Sequence, residues 1–137
     1  MSFDDVVTLL DETEVVAIVT TRAAGKPLAT PIWSMVVDGV PYLRSAYGPG
    51  SWWYRHAISG RPVGFVMGDG AVAEVDPDAA LPLPREQVAL EQVPVSDPVH
   101  AALDAEIQRK YAGALPSSIA SMLSNEAVAC TVRVLPA

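Results

Sequence analysis

The chain has a single cysteine, Cys130, among 137 residues. It therefore cannot close an internal disulfide or build a cysteine-cluster metal site, and it suits a reducing compartment. Histidine is also scarce: His56 and His100 stand alone, with no acidic or histidine partner at metal-ligand spacing, so no metal is expected. Positive charge is in deficit, with nine Lys and Arg against sixteen Asp and Glu and a net charge of −7, which argues against a nucleic-acid partner. No apolar run approaches the roughly 18–20 residues that cross a bilayer. The opening Met1-Ser2-Phe3-Asp4-Asp5 lacks the basic start of a secretory signal, so a soluble, cytoplasmic protein without a membrane partner is expected. Glycine at dinucleotide spacing, a Gly-Lys-Ser/Thr phosphate loop and a nucleophile elbow are all missing, which leaves hydrolase and triphosphatase chemistry without support.

What is present is apolar. Half of the residues are hydrophobic and 18% are charged, which excludes disorder and fits one domain, residues 1–137, with surface left over for a subunit contact. Phe3, Val6, Val7 and Leu10 fall at helical spacing. Residues 15–21 form a β-branched run, and a turn at 23–27 leads to a second apolar run at 28–37, interrupted by Pro31; this strand should lie at an edge or bulge. Asp38-Gly39 joins it to a strand at 40–45. Runs at 63–67 and 71–75 flank Gly68-Asp69-Gly70 as a second hairpin, residues 76–84 read as an acidic, proline-rich loop, and 88–95 reads as a strand. Asp97-Pro98 opens a helix whose Val99, Leu103, Ile107 and Tyr111 make one apolar stripe. A short helix at 117–123, capped by Ser117 or Ser118, and a closing strand at 127–135 complete the chain. Cys130 lies in that last run and reads as core. The expected class is α+β, a six-stranded antiparallel barrel with peripheral helices.

The chemistry concentrates in one stretch, Arg44-Ser45-Ala46-Tyr47-Gly48-Pro49-Gly50-Ser51-Trp52-Trp53-Tyr54-Arg55. Gly48-Pro49-Gly50 is a turn, and Ser51 is placed to cap a helix reaching about residue 59. Unpaired N–H groups at that helix start, the serine hydroxyls, and Arg44 and Arg55 from either side together suit a phosphate. Trp52, in the first turn, suits a flat ring. Each feature has a plainer reading: Arg44 as a strand-end cation, Ser51 as a cap, Arg55 on a solvated face, and Trp53 and Tyr54 as core.

The order Thr20-Thr21-Arg22, Gly25-Lys26-Pro27, Thr30-Pro31-Ile32-Trp33, Val37-Asp38-Gly39, Tyr42-Leu43-Arg44-Ser45, Gly50 to Arg55 and Gly60-Arg61-Pro62-Val63 resembles the flavin-binding split β-barrel superfamily. That group includes pyridoxamine 5′-phosphate oxidase and the deazaflavin-dependent reductases, and the chain looks closest to a domain-of-unknown-function family within it. The resemblance implies a six-stranded split β-barrel homodimer with FMN or a deazaflavin coenzyme in a groove at the dimer interface. It would place the phosphate at Arg44, Ser45, Ser51, Trp52, Trp53 and Arg55, and the ring system along Thr30, Pro31, Ile32 and Trp33. The implied activity is a flavin- or deazaflavin-dependent oxidoreductase acting on a small molecule; the alternative is a dimeric protein that binds an aromatic ligand without turnover. In the well-studied oxidases the positions after the helix-starting serine are basic, whereas here they are Trp52 and Trp53.

Overall fold

The computed structural model describes residues 2–137. In chain order the elements are α1 (Phe3–Glu12), β1 (Val16–Thr21), β2 (Pro27–Ile32), β3 (Met35–Val37), β4 (Val40–Arg44), α2 (Trp52–Ala57), β5 (Val63–Val66), α3 (Ala71–Val75), α4 (Pro77–Ala80), β6 (Arg85–Gln92), α5 (Val99–Lys110), α6 (Pro116–Leu123), α7 (Asn125–Ala129) and β7 (Thr131–Pro136). The class is α+β, as expected, with one antiparallel sheet in the order β2-β1-β5-β6-β7-β4-β3. The sheet has seven strands, not six.

The chain itself forces this sheet to curl. A flat sheet with strands ~4.8 Å apart would hold its outermost strands ~29 Å from one another. Yet β2 and β3 occupy the two opposite edges and are joined only by Trp33 and Ser34. Three Cα steps reach at most ~11 Å, so the edges must come round toward each other, and the sheet forms a half-barrel.

β1 lies at the centre of the packing. Val16 and Ile18 enter a core with Val6, Leu10, Leu43, Trp53, Phe65 and Val132. Ala17 and Val19 point the other way, into a smaller cluster with Ala29, Val66, Ala73 and Ala80 beneath α3 and α4. A strand buried on both faces reads as a continuous apolar run rather than an alternating one. A third cluster, with Met35, Tyr42, Leu103, Ile107, Tyr111 and Met122, lies under α5 and contains the stripe expected of that helix. Cys130 is buried, as expected.

Several expected elements are corrected. The run 28–37 is not one strand, because the chain leaves β2 after Ile32 and starts β3 at Met35. Pro31 does sit on an edge strand, paired with Ala17 of β1. Residues 71–75 are helical. Asp69 Oδ1 accepts the Ala71 N–H at 2.9 Å, so the Gly-Asp-Gly turn starts a helix instead of a hairpin. Gly70 approaches β1 so closely that a Cβ there would lie 2.3 Å from the Val16 carbonyl carbon. The 76–84 segment is not wholly irregular, since the Asp76 side chain accepts from the Asp78 N–H to open α4. The sixth strand begins three residues earlier than expected, at Arg85, and ends at Gln92. Helix α6 begins with Pro116 after Leu115, not with a serine cap. Residues 125–129 form α7 rather than the start of the last strand, with Ser124 Oγ accepting the Ala127 N–H.

Candidate functional site

β2, the β4–α2 connection and α6 enclose one cavity of about 660 Å³, a size that suits a small organic ligand. Eight of the ten residues singled out for a site line it: Thr30, Pro31, Ile32, Trp33, Arg44, Ser51, Trp52 and Trp53. The two arms of the prediction, the second strand and the 44–55 stretch, therefore meet across a real concavity. Tyr47 also lines it. Tyr47 and Trp52 are 78% and 65% exposed, so the mouth is open and aromatic.

Arg44 is built into the wall. Its side chain is wholly buried, and each of its five N–H groups has a partner. Nε donates to Thr131 Oγ1 at 3.1 Å, one terminal nitrogen to Asp104 Oδ1 at 2.6 Å and the Met122 carbonyl at 3.2 Å, and the other to His100 Nδ1 at 3.0 Å and the His100 carbonyl at 3.5 Å. His100 Nε2 lies 2.8 Å from the Pro94 carbonyl and must donate to it. That fixes the neutral tautomer whose Nδ1 lone pair faces Arg44. Arg44 thus ties β4 to β7, α5 and α6, and His100 packs within that network.

The other polar groups are arranged differently from expectation. Ser51 is the residue before α2, but its hydroxyl caps nothing. It shares a 2.8 Å hydrogen bond with the Ser45 hydroxyl, which donates to the Gly48 carbonyl at 2.6 Å. Ser45 is therefore one step behind the wall. Helix α2 has only six residues, which is short for a substantial dipole. Arg55 stays outside the cavity: its Nε donates to the Pro49 carbonyl at 2.8 Å, and its guanidinium sits 5.2 Å from the centre of the Trp52 ring. Trp53 and Tyr54 are core, as their plainer reading held.

Trp33 is held from behind. Its ring stacks on Tyr111 at 3.9 Å between centroids and 5° between planes. The Tyr111 hydroxyl donates to the Glu14 carbonyl at 2.6 Å and accepts the Ser34 N–H at 2.9 Å. Burial pushes Tyr111 up to about 12. Beside it, Lys110 Nζ donates to the Leu10 carbonyl at 2.7 Å and to the Ser34 carbonyl and hydroxyl at 2.9 and 3.2 Å. Burial pulls this ammonium down to about 8, against the opposing pull of Asp11 and Glu106.

Comparison with known proteins places the chain in a family. Residues 6–134 match the model of DUF2255, described as an uncharacterized protein conserved in bacteria. The chain belongs to the DUF2255 family. No curated protein matches it. Among solved structures, the DUF2255 chain resembles a conserved hypothetical protein, Rv2991, from Mycobacterium tuberculosis, with a TM-score of 0.58 and 18% identity over 98% of this chain and 78% of that one. At that identity the likeness is one of fold.

Sequence reasoning missed the far wall of this DUF2255 cavity, where α6 contributes Ser117, Ser118, Ser121 and Met122. The only local signal was a serine-rich helix, and it reads equally well as a solvated face. The short connection from α5, residues 111–115, folds that helix over the 44–55 stretch, and nothing in the spacing of the residues announces it. Among the described residues no group of three or more His, Cys, Asp or Glu could hold a metal ion, and no helix is long and apolar enough to cross a membrane.

Proposed function

We propose that this chain binds a flat aromatic molecule of the flavin or deazaflavin kind in the cavity between β2, α2 and α6. The observation that carries the reading is the convergence of three indoles, Trp33, Trp52 and Trp53, on one ligand-sized concavity beside the edge strand β2. Stacking and edge packing against such rings contribute about 0.5–1.5 kcal/mol each beyond burial. In this reading the half-barrel is of the split-barrel type, and the chain is a flavin- or deazaflavin-dependent oxidoreductase acting on a small molecule. The bound ring system supplies the hydride chemistry; the protein binds it, orients it and excludes water. The ring fits the donor set of the cavity, whereas the anionic phosphate of such cofactors finds no free cation there.

A second reading, binding without turnover, is favoured by a specific feature of the wall. Among the described residues no carboxylate, histidine, lysine or cysteine lines the cavity, and Arg44 and Tyr47 are its only titratable side chains. Apart from the exposed Tyr47 phenol, the described wall offers no side chain suited to general acid or base chemistry.

Both readings place a second copy of the chain over the open mouth, where Tyr47 and Trp52 are exposed. Sedimentation at micromolar concentration should give a dimer, and a stable monomer counts against this arrangement. Titration with FMN and with the deazaflavin coenzyme, followed by tryptophan quenching and by the ligand's visible absorbance, tests the site. Saturable quenching weakened by Trp52→Ala supports it; no response to either ligand or to the phosphate-free ring compound riboflavin refutes it. Reduction of the bound ligand by a candidate substrate then separates the oxidoreductase from the binding protein.

A further inference from the structure

We propose that the cavity contains no anion receptor and selects an uncharged planar molecule, with Arg44 serving as a structural anchor and the hydroxyls of α6 reading the ligand's polar edge. The inference rests on the reading of this cavity as an aromatic-ligand site, and it names the class of ligand.

Among the described residues Arg44 is the only cation in the wall. Its five donors are all engaged, its side chain is fully buried, and its charge is met by Asp104 at 2.6 Å. A phosphate could reach it only by displacing a carboxylate or a histidine nitrogen, which would leave a buried group without its partner. Arg55 is directed to Pro49 and stacks beside Trp52 outside the cavity. The six-residue α2 adds little field, and the chain as a whole is negative. An anion entering this site would lose its water and gain no compensating positive charge.

Hydroxyls do remain available. Ser117, Ser118 and Thr30 line the cavity, and their side chains make no hydrogen bond within the described residues. A hydroxyl both donates and accepts, so such a set matches carbonyl, imide or hydroxyl groups on a neutral ring system or its side chain. The aromatic residues opposite take the ring faces. Uncharged edge groups met by hydroxyls, with faces met by indoles, make up the recognition pattern this wall offers.

Riboflavin and FMN share one ring system and differ by a phosphate, so they test the idea directly. With tryptophan quenching as readout at fixed ionic strength, riboflavin should bind at least as tightly as FMN. The double variant Ser117→Ala/Ser118→Ala should weaken riboflavin binding by about tenfold, two ordinary hydrogen bonds' worth. Asp104→Asn, which keeps the site's shape but uncovers the Arg44 charge, should move the preference toward FMN. Tighter binding of FMN than of riboflavin by the unaltered protein would overturn the inference and leave the aromatic-site reading standing. Quenching by neither would overturn both. An unchanged preference in Asp104→Asn, with the variant folded, would also count against it, because Arg44 would then not be masked by that carboxylate.

Discussion

Helix α5 buries a cation at each of its two ends, and the two are treated in opposite ways. Near its start, His100 and Asp104 receive Arg44 from the sheet, and the guanidinium has a carboxylate, a ring nitrogen, a hydroxyl and two carbonyls around it. At its last residue, Lys110 reaches into the protein and finds only neutral oxygens, those of Leu10 and Ser34. The first arrangement sets a carboxylate against the cation and spends every donor, so it fixes four elements together. The second leaves burial uncompensated by any direct ion pair, and the ammonium is drawn down to about 8. Between these ends, Ile107 and Leu103 fill the core. One helix therefore supports both walls of the cavity: through Arg44 it secures α6, and through Tyr111, the residue after its end, it holds Trp33.

The largest expected effect comes from breaking the first end. Arg44→Met should cost about 3 kcal/mol, because His100 Nδ1 and two buried carbonyls lose their donor and β4 loses its tie to α5. A lower urea midpoint with an unchanged slope would record it; a shift below about 1 kcal/mol would mean that the network contributes little. At the other end, Tyr111→Phe removes the hydroxyl that joins the Ser34 N–H to the Glu14 carbonyl. Burying those two groups unpaired should cost about 1–3 kcal/mol, with the ring stack on Trp33 preserved. Equal stability of the variant would show that water replaces the hydroxyl.

Lys110 sharpens the contrast through pH. Its folded value lies below its ordinary 10.5, at about 8, so between those two values the unfolded chain binds more protons than the folded one. Stability should therefore rise with pH across that window, on the order of 1 kcal/mol once solvent screening of the partly exposed ammonium is allowed for, and be flat below it. Lys110→Met should abolish this rise while changing stability near neutrality by about 1 kcal/mol or less. A rise that persists in the variant would assign it to another group.

The sequence made strand β1, the stripe of α5 and the edge position of Pro31 legible, because each rests on a β-branched run, a local period or proline's missing donor. It could not show that the 28–37 run breaks at Trp33-Ser34, since no glycine or proline marks the break; only closure of the sheet requires it. Residues 71–75 and 127–129 were read as strand for one reason: a side chain such as Asp69 or Ser124 that bonds two or three residues ahead can turn an apolar run into a helix, and hydropathy does not register that bond. At the cavity, the family resemblance, not spacing, set Trp33 beside Ser51 and Trp52, and all three line the same concavity. Arg44 read as a ligand contact because it ends a strand beside the Ser51 helix start, whereas the acceptors that claim it come from residues 56 to 87 positions away.

Trp52 gives the smallest expected stability effect. It is 65% exposed, touches Arg55 and tilts over His56, so it is neither core nor part of either end of α5. Surface truncations of this kind usually change stability by about 0.5 kcal/mol or less. Trp52→Ala should therefore leave the unfolding midpoint nearly unmoved while weakening quenching by a bound flavin-type ligand. Trp33 is the control on the buried side, because its ring is clamped by Tyr111 and its loss should reduce stability and binding together. If Trp52→Ala instead unfolds the protein as readily as Tyr111→Phe does, the aromatic mouth is a structural surface, covered by a partner copy or by the chain itself. If it leaves both stability and quenching intact, the ligand's ring lies against Trp33 and Trp53 alone. Loss of binding without loss of stability is the combination that marks Trp52 as a ligand contact, and it separates a recognition surface from the two buried anchors behind it.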